Sequence, residues 1–514
     1  MQRRRRMTPV ALVEAVHCFQ KACCLGWPTL LGAPTHVSLA KPTFVRYQVL
    51  AVACSLAVLT YVQRQGFIAA TPYIKQDLGL NDGQMGYLLA VWLVAYGIFQ
   101  VPGGLIGDRI GARHLLTLLV VGWSLTLLAV ALTVFLPPGG LLPLVVLLAL
   151  RFIFGGFQAG VFPGLARVVA DWMTAQQRGF AQGAIWTCSR LGGAVAPVFV
   201  VWLITGVFGY LFKLDDPAEA AEFVGSLIAK VSGGWIRIAG PVEAVVFVVW
   251  KITKILGAWA TTITLIAMVG LAWSALFWLW FRNRPDEMRH LNSAERELIA
   301  RNRPAVPAVT GSVPWRQLLA SPSVWGLCLM YGFVGFAGNF ITSFLNVYLR
   351  DHRHLPDATT AWLAGLPLAA GVVSSLSGGI VSDLLIHALG NRKLGRRLVG
   401  GVALALAGLA TLCTPWVHEV WQLAIVLGAW MFFNDAMLGP AWASCADIGE
   451  RYAGTLSGAM NMTGAFMGAA GMTLAGWLLK SDQHYLMFSV FAASYVLASL
   501  CWLLVDATKP LIPR

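Results

Sequence analysis

Long apolar segments alternate with short polar ones along almost the whole chain after residue 45. A helix needs roughly 20 apolar residues to cross the hydrocarbon core of a bilayer. Segments of that kind, separated by turn residues or charges, occur at 46–70, 83–106, 115–136, 141–166, 179–211, 257–281, 323–349, 359–385, 397–415, 418–441, 454–479 and 483–506. The pattern predicts an all-α membrane protein with twelve transmembrane helices in two six-helix bundles.

Composition agrees with a membrane location. Hydrophobic residues make up 58% of the 514 positions and charged residues only 12%, a balance that would not keep a globular protein in solution. The net charge of +14 does not indicate nucleic-acid binding, because the basic residues lie in short loops between apolar segments. We therefore expect a lipid bilayer around the chain and no nucleic-acid partner.

The basic residues are concentrated in alternate loops, which by the positive-inside rule predicts that both termini are cytoplasmic. The connection at about 212–256 then lies outside and contains two short apolar stretches that we interpret as interfacial helices. The predicted organisation is an N-terminal tail, a first bundle with this insertion, a cytoplasmic linker, a second bundle and a C-terminal tail, at 1–45, 46–281, 282–322, 323–506 and 507–514.

An internal repeat supports two related bundles. The sequence GGLIGD at 103–108 returns as GGIVSD at 378–383, each after the second span of its half. The Asp and the paired Gly residues at 171–183 return at 447–458. Two matches in the same order indicate a duplicated unit, as in many transporters.

The run GGLIGDRIGAR at 103–113 resembles the loop signature of the major facilitator superfamily. In this loop Asp108, Arg109 and Arg113 are predicted to form a charged gate between the bundles, with Asp383 in the equivalent second loop. An alternative is that these charges only hold the loop on the cytoplasmic side.

A narrower resemblance is carried by Arg151-x3-Gly155-x7-Pro163 and by the segment from Asp447 to Asn461. These motifs are similar to those of the anion:cation symporter family. Members of that family carry hexuronates, aldonates, glucarate and aromatic acids, and in animals phosphate or glutamate. The resemblance implies alternating-access transport of a small organic anion.

Two arginines inside apolar spans indicate an anionic cargo independently of the family resemblance. Arg64 and Arg151 lie at similar depths, and a buried guanidinium is costly unless something satisfies it. Because an arginine fork matches a carboxylate, both residues are predicted to bind an anion. The alternative is that each arginine pairs with a helix end or a nearby acid. Arg190, beside Gly192 and Gly193, is a third candidate that alternatively braces closely packed helices.

Several uncharged polar residues in the spans are candidates for recognising hydroxyl groups of the solute. Hydrogen bonding between helices is the alternative for each of them. They are Tyr96, Gln100, Gln158, Asn339, Tyr348, Ser374, Asn434 and Asn461.

The chain departs from its proton-coupled relatives at two positions. Those relatives carry acids where this chain has Gln63 and Gln158, and glutamine cannot exchange a proton. Asp435, an acid in the tenth predicted span, is the predicted coupling residue for a proton or sodium ion. The alternatives are that Asp435 pairs with an arginine or that the protein is an uncoupled carrier.

Together these observations predict a monomeric secondary transporter that takes a sugar acid, such as a hexuronate or aldonate, across the bacterial inner membrane. An anion exchanger, an efflux carrier or a transporter-like solute receptor remains an alternative. No catalytic or metal-ligand arrangement occurs at membrane depth in the sequence, so we predict neither an enzyme nor a cofactor or metal.

Overall fold

The computed structural model describes residues 41–232, 241–288, 290–302 and 313–512. The predicted tail at 1–45 therefore lies almost entirely outside the described residues. Within them, all regular secondary structure is helical. Apolar sequences of this length form helices in a bilayer because every backbone amide is then satisfied within its own segment.

The first bundle contains six spans. Span 2 is two helices that meet at Phe99 with a bend of 45°, and span 5 ends in a π-helical turn and a short helix. In order, spans 1 to 6 are Val45–Leu78, Asp82–Ile98 with Gln100–Ile110, Ala112–Phe135, Leu141–Trp172, Arg178–Lys213 and Ala258–Trp280.

The second bundle contains another six. The helical stretch Val420–Lys480 has 61 residues, about three times the length that crosses a bilayer once, and it turns at Glu450, whose φ is +44°. It therefore forms two spans. In order, spans 7 to 12 are Pro322–Ser343, Asp357–Leu389, Arg392–Trp416, Val420–Gly449, Ala453–Lys480 and His484–Leu504.

The predicted twelve-helix, two-bundle fold is confirmed. The largest differences are at the ends of spans 1 and 10, where the sequence pattern ended at residues 70 and 441 and the helices continue to Leu78 and Gly449. In span 1 the reason is visible in the sequence. Pro72 and Lys75 interrupt the apolar pattern there, yet the helix continues through both residues.

The insertion between spans 5 and 6 contains the helices Pro217–Ser232 and Pro241–Leu256. They pack against the end of span 5, where Leu211 and Ala220 belong to a small separate apolar cluster. The indole N–H of Trp250 donates to the carbonyl oxygen of Leu214 at 3.1 Å. The insertion is thus attached to the first bundle, and its interfacial position in the membrane stays a prediction.

The linker also contacts the first bundle. Its helix Ser293–Asn302 carries Glu295, which is fully buried and accepts hydrogen bonds from the backbone amides of Val45 (3.0 Å) and Arg46 (3.2 Å). A carboxylate at a helix N-terminus satisfies unpaired amides and the helix dipole. Glu295 therefore caps span 1 and attaches the linker helix to the first bundle.

The two bundles meet on the face that carries the linker. A Cβ atom on Gly104 would overlap the carbonyl oxygen of Gly454 in the other bundle, and one on Gly379 would overlap that of Gly179. Among the described residues, every hydrogen bond between the bundles lies on this face or near mid-depth. We call this side the closed face and the opposite side the open face.

Candidate functional site

A cavity of about 270 Å³ lies between the bundles at mid-depth. Three spans from each bundle line it, namely spans 1, 2 and 5 and spans 7, 10 and 11. The lining residues with polar or aromatic side chains are Tyr61, Arg64, Trp92, Tyr96, Trp186, Arg190, Tyr331, Asn339, Thr342, Asn434 and Asn461. A central cavity with a few convergent polar groups is the expected form of a small-solute site.

Arg64 lines the cavity, is partly buried, and forms no ion pair with any of the residues that the structure describes. Its guanidinium carbon lies 5.0, 4.7 and 4.8 Å from the ring centres of Tyr61, Trp92 and Tyr96. Ring faces of this kind hold a cation without neutralising it. Its Nη2 atom has no hydrogen-bond partner within the described part of the chain, so Arg64 is oriented and still able to bind an anion.

Gln158 positions Arg64. Its Oε1 atom accepts from Arg64 Nε at 3.1 Å, and its own amide donates to the carbonyl oxygen of Thr60 at 3.2 Å. Gln63 turns away from the cavity, donating to the carbonyl of Ile266 at 2.8 Å and accepting from the Trp123 indole. Of the two glutamines, only Gln158 contacts the site.

Arg151 lies behind the cavity wall and is not among the residues that line it. It is 1% exposed, and its guanidinium carbon lies 4.0 Å from the ring centre of Phe67 and 5.9 Å from that of Trp92. Its two terminal nitrogens have no partner in the described ranges. In this conformation Arg151 contributes an unpaired buried charge next to the site rather than a direct contact.

Arg190 and Asp435 form a two-point ion pair that joins span 5 to span 10. Arg190 Nε lies 2.8 Å from Asp435 Oδ2, and Nη2 lies 2.9 Å from Oδ1. The Arg190 side chain is 21% exposed, whereas Asp435 is fully buried. The predicted third arginine thus faces the cavity with its charge already paired, which was one of the alternatives for Asp435.

Four of the uncharged candidates also lie in the cavity lining, and they are Tyr96, Asn339, Asn434 and Asn461. Asn461 donates to the Tyr96 hydroxyl across the two bundles at 3.3 Å. Asn434 donates to Asp435 Oδ1 at 2.9 Å and accepts from Tyr495 at 2.7 Å. These residues are placed both to contact a solute and to connect helices.

Three uncharged candidates lie elsewhere. Gln100 is fully buried where Gly458 packs against its backbone. The Ser374 hydroxyl donates to the carbonyl oxygen of Phe432. Tyr348 packs against Phe488 beyond the end of span 7. The spacing of polar residues along the helices did not distinguish these positions from the cavity-facing ones.

Hydrogen-bond donors are in excess at the cavity. Three lining residues, Arg64, Trp92 and Trp186, carry buried N–H groups without a partner among the residues that the structure describes, whereas no lining residue there has an unpartnered buried acceptor. Buried donors without acceptors are unfavourable. The cavity is therefore suited to a ligand rich in acceptor oxygens, such as a carboxylate or sulfonate.

On the closed face, Asp108 connects span 2 to the start of span 11. It accepts from the backbone amides of Gly454 (3.0 Å) and Thr455 (2.7 Å) and from the Thr455 hydroxyl. Arg167 lies 3.9 Å away and donates to the carbonyl of Arg451 at 2.5 Å. We call these five residues the Asp108 cluster.

A second group connects span 8 to the start of span 5. Asp383 accepts from the amides of Gly179 (3.2 Å) and Phe180 (2.7 Å). Arg396, fully buried, donates to Asp383 at 2.8 Å and to Asp447 at 3.4 Å. Asp447 also pairs with Arg178 of the first bundle at 2.8 Å. We call the six residues Asp383, Gly179, Phe180, Arg396, Asp447 and Arg178 the Asp383 cluster.

The other two predicted gating residues do not cross between the bundles. Arg113 donates to the carbonyl of Trp278 at 2.6 Å and stacks on its ring, within the first bundle. Arg109 is exposed. Of the four residues, Asp108 and Asp383 make the contacts that a gate requires.

A separate polar group lies on the turns at the open-face ends of spans 7, 11 and 12. His352, Asp482 and His484 have side-chain ligand atoms within 4.8 Å of one another, and the Asp482 carboxylate lies 3.1 Å from His352 Nδ1 and 3.5 Å from His484 Nδ1. This group was not predicted, because 130 positions separate His352 from Asp482 in the sequence.

The family comparison agrees with this architecture. The family model described as Major Facilitator Superfamily matches residues 53–472, which is most of the chain. The chain belongs to the major facilitator superfamily.

Relatives within the superfamily are named as organic-anion transporters. The probable sulfoacetate transporter of Cupriavidus necator is 27% identical over 90% of this chain and 94% of its own. The probable galactarate/D-glucarate transporter of Escherichia coli is 24% identical over 87% and 90%. These matches confirm the resemblance that the loop motifs predicted, and they agree with the prediction that the protein is a transporter and not an enzyme.

Solved superfamily structures share the fold. The proton:xylose symporter bound to 6-bromo-6-deoxy-D-glucose has a TM-score of 0.62 at 12% identity, over 90% of this chain and 96% of its own. With the family match over residues 53–472, the protein is a multi-pass membrane transporter of the superfamily.

Several contacting residues escaped the sequence analysis. Arg178 and Arg396 are not among the predicted site residues, although each belongs to an ion pair on the closed face. Trp92 and Trp186 line the cavity and are not among the predicted site residues either. The usable signal for Arg178 was its position directly before Gly179, at the start of a span that pairs with the other bundle.

Proposed function

We propose that this protein transports a small organic anion, such as a sugar acid, across the bacterial inner membrane by alternating access. The observation that carries the proposal is Arg64, whose guanidinium lies among three aromatic rings at the central cavity and whose Nη2 atom has no hydrogen-bond partner among the residues that the structure describes. Arg151 adds a buried positive charge beside it. The names of the sulfoacetate and glucarate relatives support the same class of cargo.

In this proposal the anionic group binds Arg64, held in place by Gln158, while Tyr96, Asn339 and Asn461 contact hydroxyl groups. The two bundles rock about the cavity, and the Asp108 and Asp383 clusters break and re-form in each cycle. Both termini and the closed face are assigned to the cytoplasm by the positive-inside rule. Solute enters from the open face, so uptake is the proposed direction.

Binding by the purified protein tests the proposal directly. We would titrate D-glucarate, sulfoacetate, D-glucuronate and D-gluconate into wild type by calorimetry, and then measure flux of the strongest binder in proteoliposomes. Arg64→Ala should lower its affinity at least about hundredfold, because a charge-assisted contact worth about 3 kcal/mol is lost. Arg64→Lys keeps the charge but loses the fork, and should recover only part of the loss.

Arg109→Ala is the matched control, since it removes an exposed arginine that does not line the cavity. Its affinity should equal that of wild type. Near-normal binding in Arg64→Ala, or an equal loss in both alanine variants, would contradict the proposed site.

A further inference from the structure

The ion pair between Arg190 and Asp435 occupies a position that a solute would be expected to use. Arg190 lines the cavity and keeps 21% of its side chain exposed. Its Nε and Nη2 atoms form the fork that binds a carboxylate at two points, and Asp435 already fills that fork at 2.8 and 2.9 Å. When an anion reaches Arg190, the Nε and Nη2 atoms are therefore already bound to the carboxylate of Asp435.

Asp435 is held from behind as well. Asn434 donates to its Oδ1 atom at 2.9 Å, Tyr495 donates to Asn434 at 2.7 Å, and the Trp430 indole donates to Tyr495 at 2.8 Å. This hydrogen-bonded chain allows the Asp435 side chain to stay in place after Arg190 leaves it. Left ionised without its arginine, however, the buried carboxylate would cost several kcal/mol. Protonation removes that cost.

We propose that Asp435 competes with the solute for Arg190: a dianion binds Arg64 with one anionic group, displaces Asp435 from Arg190 with the other, and Asp435 is protonated in exchange. This inference rests on the proposed function and adds to it a solute class, a dicarboxylate or sulfocarboxylate. The proton comes from the aqueous phase reaching the cavity and binds a carboxylate oxygen of Asp435. A monoanion binds Arg64 alone and leaves the ion pair intact.

The exchange also connects binding to movement of the bundles. Arg190 belongs to span 5 and Asp435 to span 10, so their ion pair ties one bundle to the other. When a dianion replaces Asp435, the direct tie is lost. The bound dianion with its proton, rather than either alone, is then the species that releases the bundles to rearrange.

Among the described residues, the other titratable side chains that interact with the pair are phenols, whereas Cys188, two positions before Arg190, contacts Cys54 of span 1. Tyr61 and Tyr331 interact with Arg190, and Tyr495 interacts with Asp435. Phenols ordinarily ionise near pH 10, and both carboxyl groups of a sugar diacid ionise well below pH 6. Between pH 6 and 8, a proton taken up at this pair is therefore assigned to Asp435.

Calorimetry with two matched solutes tests the exchange. D-Glucarate and D-gluconate share a six-carbon chain and differ in one terminal carboxylate. Titration in two buffers of different ionisation enthalpy should show uptake of about one proton per glucarate and none per gluconate. Because binding takes up a proton, glucarate affinity should fall about tenfold per unit rise in pH between 6 and 8, whereas gluconate affinity should stay constant.

Asp435→Asn provides the matched variant, because asparagine keeps the shape and cannot be protonated or neutralise Arg190. Glucarate should bind this variant without proton uptake and with an affinity that no longer depends on pH. At pH 8 its affinity should exceed that of wild type. The wild-type measurements stand on their own if the variant does not fold.

The outcomes separate this inference from the function it rests on. Glucarate binding without proton uptake, or equally tight at pH 6 and 8, overturns the exchange. Binding of gluconate but not of glucarate or sulfoacetate overturns the dianion assignment and leaves organic-anion transport standing. Failure of all three solutes to bind contradicts both proposals.

Discussion

The Asp108 and Asp383 clusters occupy equivalent positions in the two halves of the repeat, yet they are not equally strong. In each, an aspartate accepts hydrogen bonds from backbone amides at the start of a helix in the other bundle, where the helix dipole favours a negative charge. Only the Asp383 cluster adds a buried ion pair between the bundles, Arg178 with Asp447.

A single sequence difference accounts for this. Arg178 directly precedes Gly179 at the start of span 5, whereas Ala453 directly precedes Gly454 at the start of span 11. The backbone contacts of the two halves therefore correspond while the charges do not. We infer that the two clusters stabilise the closed face unequally, and that the Asp383 cluster, on the side of spans 5 and 8, contributes more electrostatic stabilisation.

Arg178→Ala is expected to have the largest effect on the equilibrium between closed and open conformations of the closed face. It leaves the buried Asp447 with Arg396 as its remaining arginine, at 3.4 Å. Removing one partner of a buried ion pair costs about 3 kcal/mol, so the fraction of molecules open on this face should rise about a hundredfold. Spin labels at the exposed positions Ile110 and Leu394, in a background with the cysteines replaced, would measure that fraction by electron–electron distances.

Arg109→Ala is again the control for Arg178→Ala, because it removes an exposed charge on the same face. An unchanged distance distribution in Arg178→Ala would show that the Asp383 cluster is no stronger than its counterpart.

The next effect compares the two aspartates. Asp383→Asn removes a charge shared by Arg396 and two amides and should shift the equilibrium by about 2 kcal/mol. Asp108→Asn, whose nearest arginine is 3.9 Å away, should shift it by about 1 kcal/mol. Both variants should lower the turnover of labelled solute in proteoliposomes more than its affinity. A larger effect of Asp108→Asn would reverse the ranking of the clusters.

Arg113→Ala should have the smallest effect, within about 0.5 kcal/mol. Its guanidinium bonds and stacks on Trp278 inside the first bundle, so removing it leaves every contact between the bundles in place. The same spin-label distances would measure this. A shift as large as that of Asp108→Asn would restore Arg113 to the gate.

The fold was predictable because each span is recorded as a local run of apolar residues. Arg64 was predictable for a related reason. A charged guanidinium within an apolar span is costly unless a partner or a ligand compensates its charge. An ion pair of Asp435 with an arginine was only one of the alternatives, and Arg190 could not be named as its partner, because the two residues are 245 positions apart and only the packing of spans 5 and 10 joins them. Arg151 was predicted to contact the anion because of its depth in span 4. Depth along a helix does not determine the direction of a side chain, and Arg151 does not line the cavity. Glu295 was similarly missed, since its partner helix begins 250 positions earlier.

The glycine contacts at the closed face have a consequence for the membrane as an electrical barrier. Gly104 and Gly454 bring two backbones so close that a methyl group would not fit between them, and a water molecule is larger than that space. A file of waters cannot pass between the two backbones at this contact, nor where Gly379 packs against Gly179. Across such a seal a potential of 100 mV does about 2.3 kcal/mol of work on each charge that moves, and only cargo that travels through the whole cycle can draw on it.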